Sequence, residues 1–117
     1  GVKDCFFFFF TNGKRILARA TSDVVGKSVV LTLKPEDIEL LIATEPPPIG
    51  EGDNSISGAI SEMVNMRSTA QVTIDAGFTL KARISLNIIK QVGLSIGDKV
   101  QVCFNAESIN VFLDDDN

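Results

Sequence analysis

The chain has 117 residues, 44% of them hydrophobic and 22% charged, with a net charge of −4 and no His, Trp or Tyr. That length fits one compact domain or two very small ones, with room for a modest core. The acidic balance argues against a binder of nucleic-acid backbones, which needs clustered Lys and Arg. The absence of His removes the usual acid/base side chain of neutral pH.

The two cysteines, Cys5 and Cys103, are far apart, each has apolar neighbours, and they form no C-x-x-C pair. They read as reduced, strand-borne cysteines of a cytosolic protein. No apolar run approaches the roughly 20 residues that span a bilayer. Lys3 and Asp4 precede too short an apolar block for a signal peptide. A first residue of Gly rather than Met suggests a processed or partial chain with a larger parent.

Phe6 to Phe10 is a run of five Phe that ends at Thr11-Asn12-Gly13. Aromatic residues favour strands and Asn-Gly favours a hairpin turn, so Lys14 to Ala20 is the predicted return strand. A strand of five Phe must bury both faces or offer one to a partner. Val24 to Lys27 reads as a turn, Ser28 to Leu33 as a strand, Pro35-Glu36-Asp37 as a break, and Ile38 to Ile42 as a further short strand. Residues 46–53 hold three Pro and two Gly, a stiff linker and the natural boundary between halves.

Beyond it, Ser57 to Met63 and Ala70 to Ile74 read as strands. Asp75-Ala76-Gly77 reads as a second hairpin turn and Phe78 to Ile84 as the return. Leu86 to Val92 has apolar residues at 88, 89 and 92, the spacing of a short helix packed on a core, and Gly93 is its expected stop. Lys99 to Phe104 and Ser108 to Leu113 read as the last strands, and residues 114–117 as a polar tail. The predicted organisation is a first β-subdomain over 1–45, a linker over 46–53, a second over 54–113, and the acidic tail.

The halves repeat. Gly26 falls on Gly97, Val29 on Val100, Glu36 on Glu107 and Ile38 on Ile109, an offset of 71. Earlier, Gly13 pairs with Gly77, Ala18 with Ala82 and Arg19 with Arg83, an offset of 64. The difference of seven is the length of Leu86–Val92, so the second half carries a helix that the first lacks. Short strands with regular turn signals in a duplicated unit predict an all-β fold of two related, OB-like small Greek-key barrels.

Catalytic signatures are missing. No P-loop is present, no His-based nucleophile system can be built, and two Cys without His do not make the common zinc sites. Asp114 to Asp116 is an acidic tail of the kind normally just solvated. The chain therefore reads as a binding and regulatory module, not an enzyme, without metal or cofactor.

Leu31-Thr32-Leu33-Lys34-Pro35-Glu36-Asp37-Ile38 resembles the strand and turn that follow the ATPase domain in many ABC importer ATP-binding subunits. Asn54 to Gly58, Val72 to Phe78, Gly93 to Asp98 and Phe104 to Ile109 resemble a TOBE/Mop (molbindin-like) domain. The likeness is strongest to the C-terminal regulatory region of molybdate/tungstate importers, over residues 54–112. The resemblance implies cytoplasmic sensing of molybdate or tungstate, bound between regulatory domains of two subunits, in a homodimer attached to an ATPase domain and permease subunits. Bound anion would hold the ATPase domains apart and stop import. The alternative is a dimerisation or partner-binding module of an importer for another solute, with no small ligand.

A tetrahedral dianion is held by backbone N–H groups, hydroxyls, amides and often a Lys or Arg. The ligand set implied by the resemblance is Asn54, Ser55, Ser57, Ser85, Asn105 and Ser108, all neutral, with Lys34 and Arg83 as sources of charge. Where the family has Ser-Ala-Arg-Asn this chain has Glu51-Gly52-Asp53-Asn54, and the family's basic residue before the last strand is Asn105. Glu51 and Asp53 would each repel a dianion unless turned away or paired with a base.

Overall fold

The structure, a computed structural model, describes residues 4–42 and 53–114. The linker over 46–53, except Asp53, and the tail beyond Asp114 lie outside the described residues.

β1 (Asp4–Thr11) and β2 (Lys14–Thr21) form the expected antiparallel hairpin. Asn12 and Gly13 both take positive φ, 47° and 75°, as a two-residue turn matching the strand twist requires. Period-2 alternation divides the five Phe. Phe7 and Phe9 are half-buried, whereas Phe6, Phe8 and Phe10 face outward, Phe10 being 74% exposed. The Arg15 guanidinium lies 4.3 Å from the centroid of the Phe8 ring, a cation–π contact that shields part of that face.

β3 (Val29–Thr32) and β4 (Glu39–Ile42) flank a 3-10 turn, Pro35–Asp37, in which Pro supplies a first residue that needs no N–H donor. β5 (Asp53–Asn65) is the longest strand, β6 (Thr69–Asp75) and β7 (Thr79–Ser85) form the second hairpin, and α1 (Leu86–Val92) follows. The Ser85 hydroxyl accepts from Asn87 N–H at 3.2 Å at the helix start, and Gly93 ends it at φ 70°. β8 (Lys99–Asn105), a second 3-10 turn over Ala106–Ser108, and β9 (Asn110–Leu113) complete the chain. In the first half a 3-10 turn, Ser22–Val24, stands where the second has α1.

Most strand ends fall within one or two residues of expectation, and two of the shifted starts have a clear cause. β5 begins at Asp53, four residues before the predicted Ser57, because Asn54 and Ile56 are buried while β8 pairs with the strand from Asp53 onward. β9 begins at Asn110 rather than Ser108, because the chain first turns through Ala106–Ser108.

The fold is all-β and OB-like. A five-stranded antiparallel sheet has the order β4-β8-β5-β6-β7, and two-stranded sheets join β1 to β2 and β3 to β9. The last strand of each sequence half therefore pairs with the other half: β4 with β8, and β9 with β3. One continuous core results, drawing Ile16, Ala18 and Ile38 from the first half and Ile56, Ile60, Val72, Ile74, Val100, Val102 and Phe104 from the second. Among the described residues, no helix is long and apolar enough to cross a membrane.

Candidate functional site at the junction of the halves

Asn54 sits at the start of β5 with its side chain on the core face, 6% exposed. Its Oδ1 accepts from Leu17 N–H at 2.8 Å, and its Nδ2 donates to Leu17 C=O at 2.8 Å. One amide thus replaces a stretch of sheet, tying the outer edge of β2 to β5. Both ends of the amide are engaged within the fold.

Ser55 and Ser57 lie on the opposite face. Cross-strand pairing sets them against Cys103 and Gln101. The Ser55 hydroxyl donates to Gln101 Oε1 at 3.1 Å, and Gln101 Nε2 donates to the Ser57 hydroxyl at 2.8 Å. Gln101 is 1% exposed, and these two bonds satisfy its amide in that environment. The Cys103 thiol lies 3.8 Å from the Ser55 hydroxyl. Burial raises the Cys103 pKa; the Ser55 hydrogen bond lowers it in part, and the charges of Glu39 and Asp53 raise it further. Cys5 is exposed on β1, and both cysteines are free thiols. Raised pKa and restricted access both reduce the reactive thiolate. Iodoacetamide at pH 8 should therefore modify Cys5 well before Cys103, with site-resolved mass spectrometry as the readout.

Asp53 and Asn105 are a cross-strand pair, with Asn105 Nδ2 donating to Asp53 Oδ1 at 3.0 Å. The Asn105 Oδ1 accepts from Glu107 N–H at 2.8 Å and so caps the turn that contains Ser108. Arg19 on β2 reaches the same turn, its Nη1 lying 3.5 Å from Glu107 Oε1. The fold therefore brings Asp53, Asn54, Asn105 and Ser108 to one corner, though Asn54 points into the core.

The duplication recurs at this corner. Arg83 Nη1 on β7 lies 3.8 Å from Glu36 Oε1 in the turn Pro35–Asp37. Arg83 is the counterpart of Arg19, and Glu36 that of Glu107. Each half thus sends its second hairpin strand to the 3-10 turn of the other half, forming two equivalent corners. Both ion pairs are largely solvated and contribute little to stability. Lys34 is exposed at the start of the first-half turn, the position that Asn105 occupies in the second.

Ser85 stands elsewhere. It pairs with Thr69 beyond the C-terminal end of β5, two strands across, and its hydroxyl caps α1. A single chain does not bring it to Asn54 and Asn105. Glu51 lies outside the described residues. Arg19, Glu107 and Gln101 were not singled out from the sequence as part of this region. The Arg19–Arg83 match was a signal for the first, and a polar residue between two core valines was a signal for Gln101. Among the described residues, no three His, Cys, Asp or Glu side chains are grouped to hold a metal ion.

The strands and corners define a duplicated, strand-exchanged OB-like domain. No family model matches the chain, and no curated protein matches it in sequence. Among solved structures it is similar to the cytoplasmic molybdate-binding protein ModG, crystallised with molybdate bound. The TM-score is 0.74 at 17% identity, covering 87% of this chain and 78% of that one.

Proposed function

We propose that this chain is an oxyanion-sensing module of the Mop/TOBE type, serving as the cytoplasmic regulatory region of an importer's ATP-binding subunit and working as a homodimer. The observation that carries the reading is the fold shared with a molybdate-bound protein over 87% of the chain. The corner of Asp53, Asn105 and Ser108, joined by Ser85 of a second copy, is the proposed place for molybdate or tungstate. Arg19 adds a positive charge there. A site divided between copies makes the anion favour one quaternary state, which coupling to transport requires.

Affinity should be low. Asp53 and Glu107 stand at the corner, and a unit-charge repulsion at about 4 Å is of order 1 to 4 kcal/mol in partly solvated surroundings. The pairing of Asp53 with Asn105 favours a second reading, a dimerisation or partner-binding module without a small ligand. Calorimetric titration of the chain and of Asp53→Asn with molybdate, tungstate and sulfate separates the two. On the sensing reading, Asp53→Asn tightens molybdate binding about tenfold or more, and sedimentation shows dimers. Absence of binding by both proteins selects the ligand-free module.

A further inference from the structure

The tips of the two hairpins meet. Asn12 Nδ2, in the turn between β1 and β2, donates to the Gly77 carbonyl, in the turn between β6 and β7, at 2.5 Å. Gly77 is the counterpart of Gly13 at the offset of 64, so each half sends the same turn to this contact. Lys14 runs beside it. Its Nζ donates to the Ser57 carbonyl at 3.4 Å. Its Cε lies 3.7 Å from the point that a Cβ on Gly77 would occupy, and Asn12 Cβ lies 3.9 Å from the same point. An amide and an ammonium thus hold the tip of the first hairpin against the second half.

That amide is also the most reactive of its kind in the chain. Asn12 is the one Asn followed by Gly. Elsewhere the residue after Asn carries a side chain that crowds its nitrogen, and the amides of Asn54 and Asn105 hold other parts of the fold. Asn12 and Gly13 are both exposed. The antiparallel ladder closes at Thr11 and Lys14, which leaves the Gly13 N–H outside it. Among the described residues, Asn12 is the one non-Gly residue with positive φ. Such a backbone costs conformational energy, so the closed turn depends on the contacts around it.

We propose that Asn12 is a site of spontaneous deamidation, and that its product unfastens the tip of the first hairpin from the second half. The bond to Gly77 keeps the amide away from the Gly13 nitrogen, so release of that bond comes first. Hydroxide then takes the proton of the Gly13 N–H, and the nitrogen attacks the side-chain carbonyl carbon of Asn12. A C–N bond forms there, the bond to the amide nitrogen breaks, and ammonia leaves with a proton from water, which restores the hydroxide. The five-membered imide takes up one water. Opening at the side-chain carbonyl gives Asp, and opening at the main-chain carbonyl gives isoaspartate. Asp places an acceptor where Nδ2 donated, facing the Gly77 carbonyl. Lys14 is the cation beside it, and pairing with the new charge draws Nζ away from Ser57. Isoaspartate adds a methylene to the main chain of a two-residue turn whose two positive φ match the strand twist. The change is irreversible, and it uses no anion and no partner.

The test is to age the intact chain at pH 6 and at pH 8, digest it with trypsin, and locate the amide-to-acid mass gain by mass spectrometry. Asn12 falls in the tryptic peptide that ends at Lys14. At pH 8 it should convert at least about tenfold faster than Asn65 or Asn87, with isoaspartate among the products. Conversion should be slower at pH 6, where less of the Gly13 nitrogen is deprotonated, and faster when guanidinium unfolds the chain. Asn12→Asp tests the consequence. Amide hydrogen exchange should quicken at residues 75–79 while β8 is unchanged. Conversion of Asn12 no faster than that of Asn65 overturns the proposal. Equal rates in the folded and the unfolded chain also overturn it, because the bond to Gly77 then restrains nothing. Exchange at 75–79 unmoved by Asn12→Asp, or quickened equally in β8, overturns the link between the tips.

Discussion

Replacing Asn54 with Ala is expected to destabilise the chain by about 2 to 4 kcal/mol, because it leaves the Leu17 N–H and C=O without partners at a part-buried position. For a chain of this size that is a fall in Tm of roughly 10 °C, readable by circular dichroism or calorimetry. Asn54→Asp refines the test. An ionised Asp still accepts from Leu17 N–H, but its second oxygen faces the Leu17 carbonyl and repels it. Protonation turns that oxygen into a donor. Burial and the facing carbonyl favour the neutral acid, so its folded pKa lies above the unfolded value of about 3.9. Its deficit should therefore be smallest below that value and grow as pH rises through the folded pKa. A loss at acid pH equal to that at pH 7 would mean that the carbonyl contact is not what Asn54 supplies. The same geometry makes Asn54 a poor probe of ligand binding, since its loss unties β2 from β5 whatever binds nearby. Asp53 is the better choice, because its partly exposed carboxylate can be neutralised without opening the core.

Much of the local architecture was legible in the chain. Asn12-Gly13 demanded a hairpin, Gly93 a helix stop, and the offsets of 64 and 71 located the duplication, which the structure repeats down to the Arg19–Glu107 and Arg83–Glu36 pairs. The exchange of last strands was not legible. Leu40 and Val111 occupy equivalent positions with similar side chains, so nothing local states which β-half either strand joins; that is decided by long-range pairing. The start of β5 was missed for a related reason. Asn54, Ser55 and Ser57 are polar, and polarity reads as loop unless each group finds a partner. Here Leu17 and Gln101, 37 and 46 residues away from the first two, supply those partners. In the sequence the candidate ligands are simply neutral polar groups able to face an anion. The structure shows that most of them already hold another part of the chain, Asn54 to Leu17, Ser55 to Gln101, Asn105 to Asp53 and Ser85 to α1.

Substitution of Gly58 should have an effect of similar size from the opposite cause, too many atoms instead of too few. A Cβ on Gly58 would stand 2.6 Å from Ile74 Cγ2, 3.0 Å from Asp75 O and 3.3 Å from Ala76 Cβ. Gly is required here for close approach: β5 crosses the end of β6 where the chain turns toward β7. Ile74 cannot swing aside, because it is fully buried within the shared core. Gly58→Ala is therefore expected to cost about 1 to 3 kcal/mol, and Gly58→Val more, as overpacking of a filled site does. Ile74→Ala alone should cost about 2 to 5 kcal/mol through the cavity that it leaves. The double variant separates steric conflict from general fragility. If the Gly58 methyl meets Ile74, removing the Ile side chain makes room for it, and the pair should cost about 1 kcal/mol or more less than the sum of the single changes. Urea denaturation of the four proteins measures this. Strict additivity would place the conflict at the Asp75 carbonyl, a backbone atom that no change at Ile74 relieves, and relief would then require β6 to shift along its length.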